Sequence, residues 1–273
     1  MSSRLSRPAA IVAALALAAV AGPVAAADSA MVRVLHASPD APAVDVYVDG
    51  NKVGAPLAGL EFGDLSAYVS LPAGTYDLKV CAAADATVCP IVADGVALAA
   101  GTSYTIAATN LLASIEAQII TDAPSPVAAK TQVRVVHFSA DTPAVDVLTQ
   151  DGSTKVVENL AYPKATDYLT LDPGSYDLKV CASADNTVCP LDPGPLDLAA
   201  GKSYSVFAIG SLAGGSLTAA VGVDAVAPPA TDTVVAQDTP GTSTSSLALL
   251  LVAAAGILSL FGALRLASVR ARR

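Results

Sequence analysis

The chain has 273 residues and a net charge of −9; 53% of its residues are hydrophobic and only 14% are charged. This length is typical of one or two domains. Alanine and valine dominate the apolar residues and there is no Trp, which favours strands built from small and β-branched side chains. An acidic surface repels phosphate backbones, so we expect no nucleic-acid partner.

Residues 1–27 have the pattern of a secretory signal peptide. Arg4 and Arg7 precede an apolar run from Ala9 to Val20, and Ala25–Ala27 provides a cleavage site of small residues before Asp28. An uncleaved N-terminal helix is the alternative, but the run is short for a bilayer span. We therefore predict export.

The segment that follows is a tandem duplication. Val32–Val46 returns as Val133–Val147, and the hexapeptide Tyr76–Cys81 returns unchanged as Tyr176–Cys181. The alignment offset drifts between 100 and 102 residues, as expected where loops between strands tolerate insertions. We place the first repeat at 28–121 and the second at 132–223.

Alternation with a period of two recurs in each repeat. Val32, Val34 and His36 share one face of a predicted strand, and Arg33 lies on the other. Asp49-Gly50 is a typical hairpin turn. About seven such strands per repeat, without an amphipathic helix, predict an all-β fold of two tandem antiparallel β-sandwiches of the immunoglobulin-like type. A closed barrel is the alternative.

Each repeat contains one pair of cysteines, separated by seven residues. Three pairings of four cysteines are possible. The duplication repeats each pair as a unit, and export supplies an oxidising compartment. We predict structural bonds Cys81–Cys89 and Cys181–Cys189, each on the outer side of a hairpin. Zinc binding or redox chemistry is disfavoured by the spacing and by the lack of nearby histidine.

The remaining segments connect and anchor the repeats. Residues 122–131 contain two Pro and predict a short, stiff linker; residues 224–246 lack an apolar period and predict a disordered stalk. The uncharged run 247–264 is long enough for one transmembrane helix. Four Arg in the tail 265–273 place that end in the cytoplasm and the repeats outside. Between Asp28 and Leu264 there are nine basic and 24 acidic residues, a net charge of −15.

The two histidines occupy equivalent positions and are each followed by two aspartates. His36 precedes Asp40 and Asp45; His137 precedes Asp141 and Asp146. Imidazole with carboxylates can bind a divalent cation, so a metal-binding protein or metal-dependent enzyme using His36/Asp40 and His137/Asp141 is an alternative. We favour a structural histidine that hydrogen-bonds the turn at Ser38–Asp40, with Asp45 facing away from it.

The sequence shows no catalytic motif. Neither a nucleophile elbow, a phosphate-binding glycine loop nor an HExxH pair is present. We therefore predict no catalytic residue, resident metal or cofactor. The lack of Trp weakens a carbohydrate-binding reading, although Tyr47, Tyr68 and Tyr162 are candidate surface contacts; a carbohydrate-binding module remains an alternative.

The blocks His36–Val46 and Pro72–Val80 resemble the bacterial family named domain of unknown function 4397. The resemblance covers both repeats, although the second has Ala140 for Pro39 and Thr142 for Ala41. It implies an exported, often repeated β-domain without an assigned activity, and it supplies no catalytic residues.

The C-terminal region also resembles a cell-wall sorting signal. Asp238–Thr242 departs from the sortase pentapeptide, so a retained membrane helix is preferred.

The expected protein is a non-catalytic, single-pass cell-surface protein for adhesion, envelope structure or ligand binding. Its expected partners are the membrane, through the C-terminal helix, and a cell-envelope polymer or another surface protein.

Overall fold

The computed structural model describes residues 29–228, which contain both repeats. The predicted signal peptide, the stalk from residue 229 onward and the predicted membrane span lie outside these residues. Within the described part no helix is long and apolar enough to cross a membrane.

The first repeat contains eight strands rather than the seven expected. They are β1 (Ser29–His36), β2 (Val44–Val48), β3 (Asn51–Lys52), β4 (Val69–Pro72), β5 (Gly74–Ala82), β6 (Ile91–Leu98), β7 (Ser103–Thr109) and β8 (Glu116–Asp122). A short 3₁₀ helix, Leu112–Ser114, lies between β7 and β8.

The second repeat has the same eight strands in the same order. They are β9 (Thr131–His137), β10 (Val145–Thr149), β11 (Lys155–Leu160), β12 (Leu169–Leu171), β13 (Gly174–Ala182), β14 (Pro195–Leu198), β15 (Lys202–Ile209) and β16 (Thr218–Val226). Residues 123–130 therefore connect the repeats, because Asp122 still belongs to β8. Asp224–Val226, expected at the start of the stalk, belong to β16.

Each repeat folds as two four-stranded sheets, which matches the predicted sandwich. In the first repeat the strand orders are β4-β1-β7-β8 and β3-β2-β5-β6; the second repeat follows as β12-β9-β15-β16 and β11-β10-β13-β14. Val32 and Val34 from one sheet and Val44 and Val46 from the other belong to one buried cluster. The period-two pattern therefore identified the core-facing side chains correctly.

The prediction of purely antiparallel sheets was wrong at one position in each repeat. β1 pairs in parallel with β7, and β9 pairs in parallel with β15. The intervening strands of the other sheet provide the long crossover that a parallel pair requires. The hairpin prediction was correct: Asp49 and Gly50 both have positive φ, 49° and 77°, as a type I′ turn demands.

One sheet of each repeat faces the other repeat. Leu35 and Ala107 of the first repeat form a buried cluster with Val136, Phe138 and Phe207 of the second. Phe138 and Phe207 stack with ring centroids 6.0 Å apart. We call the sheets β4-β1-β7-β8 and β12-β9-β15-β16 the contact sheets. Each has one face in its own sandwich core and the other against its neighbour.

Candidate functional site

The two histidines lie in the interior and hold the turn that follows their strand. Both side chains are 0% exposed. Nε2 of His36 lies 3.0 Å from the carbonyl oxygen of Pro42, and Nε2 of His137 lies 3.2 Å from that of Pro143. Burial lowers the pKa of His137. The observed partner in the first repeat, Pro42, lies two residues beyond the turn Ser38–Asp40 that was expected to form the bond.

Asp40 and Asp141 bind the loop between the last two strands of their repeats. Asp40 Oδ1 accepts a hydrogen bond from the Leu112 amide at 2.7 Å. Asp141 accepts hydrogen bonds from Ser211 Oγ at 2.6 Å and from the Leu212 and Ala213 amides at 2.9 Å. Burial acts to raise the pKa of Asp141, but these hydrogen bonds outweigh it and lower that pKa.

Asp45 and Asp146 point to the face opposite the histidines, as predicted, yet both are buried. Asp45 binds Lys52 Nζ at 2.5 Å and the Gly59 amide at 2.9 Å. Asp146 binds Lys155 Nζ at 2.6 Å and Ser183 Oγ at 2.6 Å. The hydrogen bond from Lys52 lowers the pKa of Asp45 despite the opposing effect of burial.

The His and Asp residues of the motif therefore serve three different parts of the repeat. Between residues 29 and 228, no group of three or more His, Cys, Asp or Glu side chains lies close enough to hold a metal ion. The carboxylates that could ligate a cation instead accept hydrogen bonds from amides, hydroxyls and lysines.

Both predicted disulfide bonds are present. Cys81 joins Cys89, and Cys181 joins Cys189. Cys81 is the cross-strand neighbour of Asp45 and so lies on the outer face of its sheet, as expected from the alternation. It is only 1% exposed, because a sheet's outer face is not necessarily a solvent face.

A buried charge network, which the sequence did not predict, joins the two contact sheets. Arg33 of the first repeat donates through Nη2 to Asp224 Oδ1 of the second at 2.5 Å. Arg134 of the second repeat donates through Nη2 to Asp122 Oδ1 of the first. The four side chains are at most 4% exposed. Equivalent residues thus form reciprocal ion pairs across the contact.

Neutral side chains complete the network with the same near-symmetry. Tyr68 and Thr105 donate to Asp122 Oδ2 at 2.5 and 2.7 Å. Tyr168 and Ser205 donate to Asp224 Oδ2 at 2.6 and 2.5 Å. Such a complete set of partners is what makes buried charges tolerable. Burial and the adjacent carboxylate raise the pKa of each Tyr.

Aromatic rings cover the guanidinium groups. Arg33 Cζ lies 4.7 Å from the centroid of the Tyr68 ring, and Arg134 Cζ lies 4.9 Å from that of Tyr168. Tyr68 was a candidate surface contact, but its hydroxyl is used within the molecule. Tyr162 likewise donates to Glu116 Oε1 of the first repeat at 2.6 Å.

A sequence signal for this network exists in the duplication. Arg33 and Arg134 are equivalent, and both lie on the strand face opposite the core valines. Asp122, the last residue of β8, and Asp224, two residues before the end of β16, are the equivalent acids. A basic and an acidic position retained in both repeats, on faces that should be solvated, indicate a shared contact.

These features define the class of protein: an all-β protein built from two β-sandwich modules in tandem, each with its own internal disulfide bond. The family model described as "Domain of unknown function (DUF4397)" matches residues 30–148 and 131–237. The chain belongs to this family, in two tandem copies. No curated protein matches the sequence significantly.

Solved structures resemble this chain only weakly. The C-terminal domain of AlgF from P. aeruginosa is 25% identical, with 35% of this chain and 98% of that chain covered and a TM-score of 0.29. The Bacillus anthracis TIE protein is 11% identical, with 67% and 34% covered and a TM-score of 0.23.

A third similar structure is a streptococcal family 41 carbohydrate-binding module described as recognising alpha-glucan. It is 11% identical, with 65% of this chain and 92% of that chain covered and a TM-score of 0.23. All of these TM-scores are low, and none of the likenesses indicates a function for this chain.

Proposed function

We propose that the protein is an exported, membrane-anchored bacterial surface protein. Its two immunoglobulin-like modules act without catalysis, in adhesion, envelope structure or binding of a ligand. The expected partners are the membrane, bound by the C-terminal helix, and an envelope polymer or another surface protein. The observation that carries the proposal is a tandem pair of modules, each with an internal disulfide bond, between a predicted export signal and a predicted membrane span.

The reciprocal ion pairs support this role in a physical way. Even a short, stiff linker leaves two modules some freedom to reorient, whereas a buried contact fixes their relative orientation. A fixed orientation lets two module surfaces meet one extended partner without the entropy cost of aligning them. The motif residues support it too, because the carboxylates of Asp40 and Asp141 and Nε2 of each histidine are engaged in holding turns and loops.

The topology of the proposal can be tested on intact bacteria that produce the full chain. All seven Lys lie between residues 52 and 202, within the two repeats and the linker that joins them. A membrane-impermeant, amine-reactive biotin reagent should therefore label the protein before lysis, and N-terminal sequencing should begin at Asp28. A cytoplasmic protein in the same cells serves as the control.

Two results would contradict the proposal. One is labelling that occurs only after lysis; the other is a mature protein that begins at Met1 and is released by salt from the membrane.

A second experiment addresses the partner: the protein should sediment with purified cell envelopes. Competition with envelope polysaccharide, or protease treatment of the envelopes, would distinguish a polymer partner from a protein partner.

A further inference from the structure

The two repeats differ in how completely their cores are filled. In the first repeat the buried apolar residues form one continuous cluster. In the second repeat they form two clusters. A cavity of about 140 Å³ lies between these clusters, lined by residues from both sheets, among them Val147, Leu178 and Val206.

The backbone of the second repeat explains part of this difference. Pro193 and Pro195 replace Ala93 and Gly95 of the first repeat. Pro lacks the amide hydrogen that a strand ladder requires. β14 accordingly pairs with β13 only from Gly174 to Asp177, and beyond this the single bridge Val180–Leu191 remains. In the first repeat β6 stays paired with β5 from Leu78 to Val80.

Side-chain size accounts for another part. Val206 lines the cavity at the position where the first repeat has Ile106, which is 6% exposed and belongs to the continuous core. Thr149 lines it at the position of Val48. At these two positions the first repeat therefore has larger or more apolar side chains than the second repeat.

The cavity offers no polar atom to a ligand or to water. Thr149 and Tyr176 are its polar lining residues. Thr149 Oγ1 already donates to Asp151 at 2.5 Å, and Tyr176 Oη donates to the Asp172 carbonyl oxygen at 2.7 Å. A water that enters needs two to four polar partners and finds none on this lining, and an enclosed apolar cavity of about 150 Å³ in another protein stays dry and binds benzene.

We propose that this cavity in the second repeat is a binding site for an apolar group about the size of benzene. The ligand is held by dispersion and by the loss of apolar surface from water, without hydrogen bonds. Ligands that bring a hydroxyl or charge are rejected, because that group would be buried without a partner. The site is independent of surface display and of the membrane anchor.

The test uses the full chain in lipid nanodiscs, with ¹³C-labelled methyl groups observed by NMR during titration with benzene. Benzene should shift the methyl signals of Val147, Leu178 and Val206. The equivalent signals of Val46, Leu78 and Ile106 should stay in place, which controls for benzene dissolved in the lipid. Phenol should bind at least about tenfold more weakly than benzene, because its hydroxyl would leave water and be buried without a hydrogen-bond partner.

Two variants fill the cavity and one serves as a matched control. Val206→Met should weaken benzene binding by about tenfold or more, and Val206→Ile, which introduces the first repeat's own residue, should weaken it less. Ile106→Val should leave binding to the second repeat unchanged. If Val206→Met does not fold, as judged by its methyl spectrum, the isoleucine variant decides.

Three outcomes would overturn the proposal. They are benzene shifts of equal size in the two repeats, phenol bound as tightly as benzene, and benzene affinity unaffected by filling the cavity at residue 206.

Discussion

The two repeats share their polar framework but differ in their apolar interior. His36 and His137 make the same bond to a turn, and both repeats hold a carboxylate under the last loop and a disulfide at the same hairpin. The cores are less alike, since one is continuous and the other divided. Polar groups need specific partners, whereas an apolar core tolerates changes that conserve its general character.

The faces between the repeats show the same contrast. The ion pairs and their Tyr and hydroxyl partners are reciprocal. The apolar contacts are not: Gly222 of the second repeat occupies the position equivalent to Ile120. A Cβ at residue 222 would lie 2.3 Å from Leu65 Cδ2 and 2.8 Å from Arg33 Nη1. The contact is therefore symmetric in charge and asymmetric in shape.

The largest expected effect comes from breaking one ion pair of the contact. Asp122→Ala leaves Arg134 buried without its carboxylate and should lower the free energy of unfolding by about 3–5 kcal/mol. Asp224→Ala should cost a similar amount if the two pairs are equivalent. Urea denaturation of the full chain measures both values.

A matched double variant separates the ion pair from simple packing. Replacing both Arg134 and Asp122 with Leu removes the charges together and should restore much of the lost stability. A loss below about 1 kcal/mol for Asp122→Ala, the range of exposed pairs, would show that the network is not buried in solution.

A smaller effect tests the asymmetry of the contact. Gly222→Ala should destabilise the protein by about 1–3 kcal/mol, because its methyl group overlaps Leu65 and the pinned Arg33. Gly54→Ala is the control, since nothing lies within 4 Å of a Cβ there. Equal unfolding midpoints for the two variants in urea would refute the close approach.

The smallest expected effect is pH dependence from the motif residues of the second repeat. Burial lowers the pKa of His137, so the folded protein binds this proton less readily than the unfolded chain does. Its stabilising contribution is present above about pH 6.5 and is lost as the pH falls. The pKa of Asp141 is also lowered, so its stabilising contribution is lost as the pH falls below about 4.

The variant His137→Gln isolates the first of these contributions, because Gln can still donate to the Pro143 carbonyl. Its urea midpoint should vary less than that of the parent between pH 7 and pH 5. Parallel curves for parent and variant would contradict the assignment.

The sequence predicted most of the strands and both disulfides, because alternation and repeated cysteines are local signals. It placed Arg33 correctly on the face opposite the core. It could not show that this face is covered, because the partner Asp224 lies 191 residues away at a position that resembles the start of a polar stalk. Nor could alternation reveal the parallel pairing of β1 with β7, which depends on chain direction.

The His and Asp motif shows the same limit of prediction from sequence, because neighbours along the chain need not be neighbours in space. His36, Asp40 and Asp45 are neighbours in sequence, which suggested a shared site. Successive residues of a strand point to opposite faces and a turn redirects the chain, so the three side chains hold three different segments.

The most direct test of the central claim, that the repeats are joined by a buried contact, is amide hydrogen exchange of the oxidised full chain in increasing urea. The claim predicts that the most protected amides of β7 and of β15 open together, with one free energy and one urea dependence. Exchange of one strand at low urea while the other remains fully protected would contradict it.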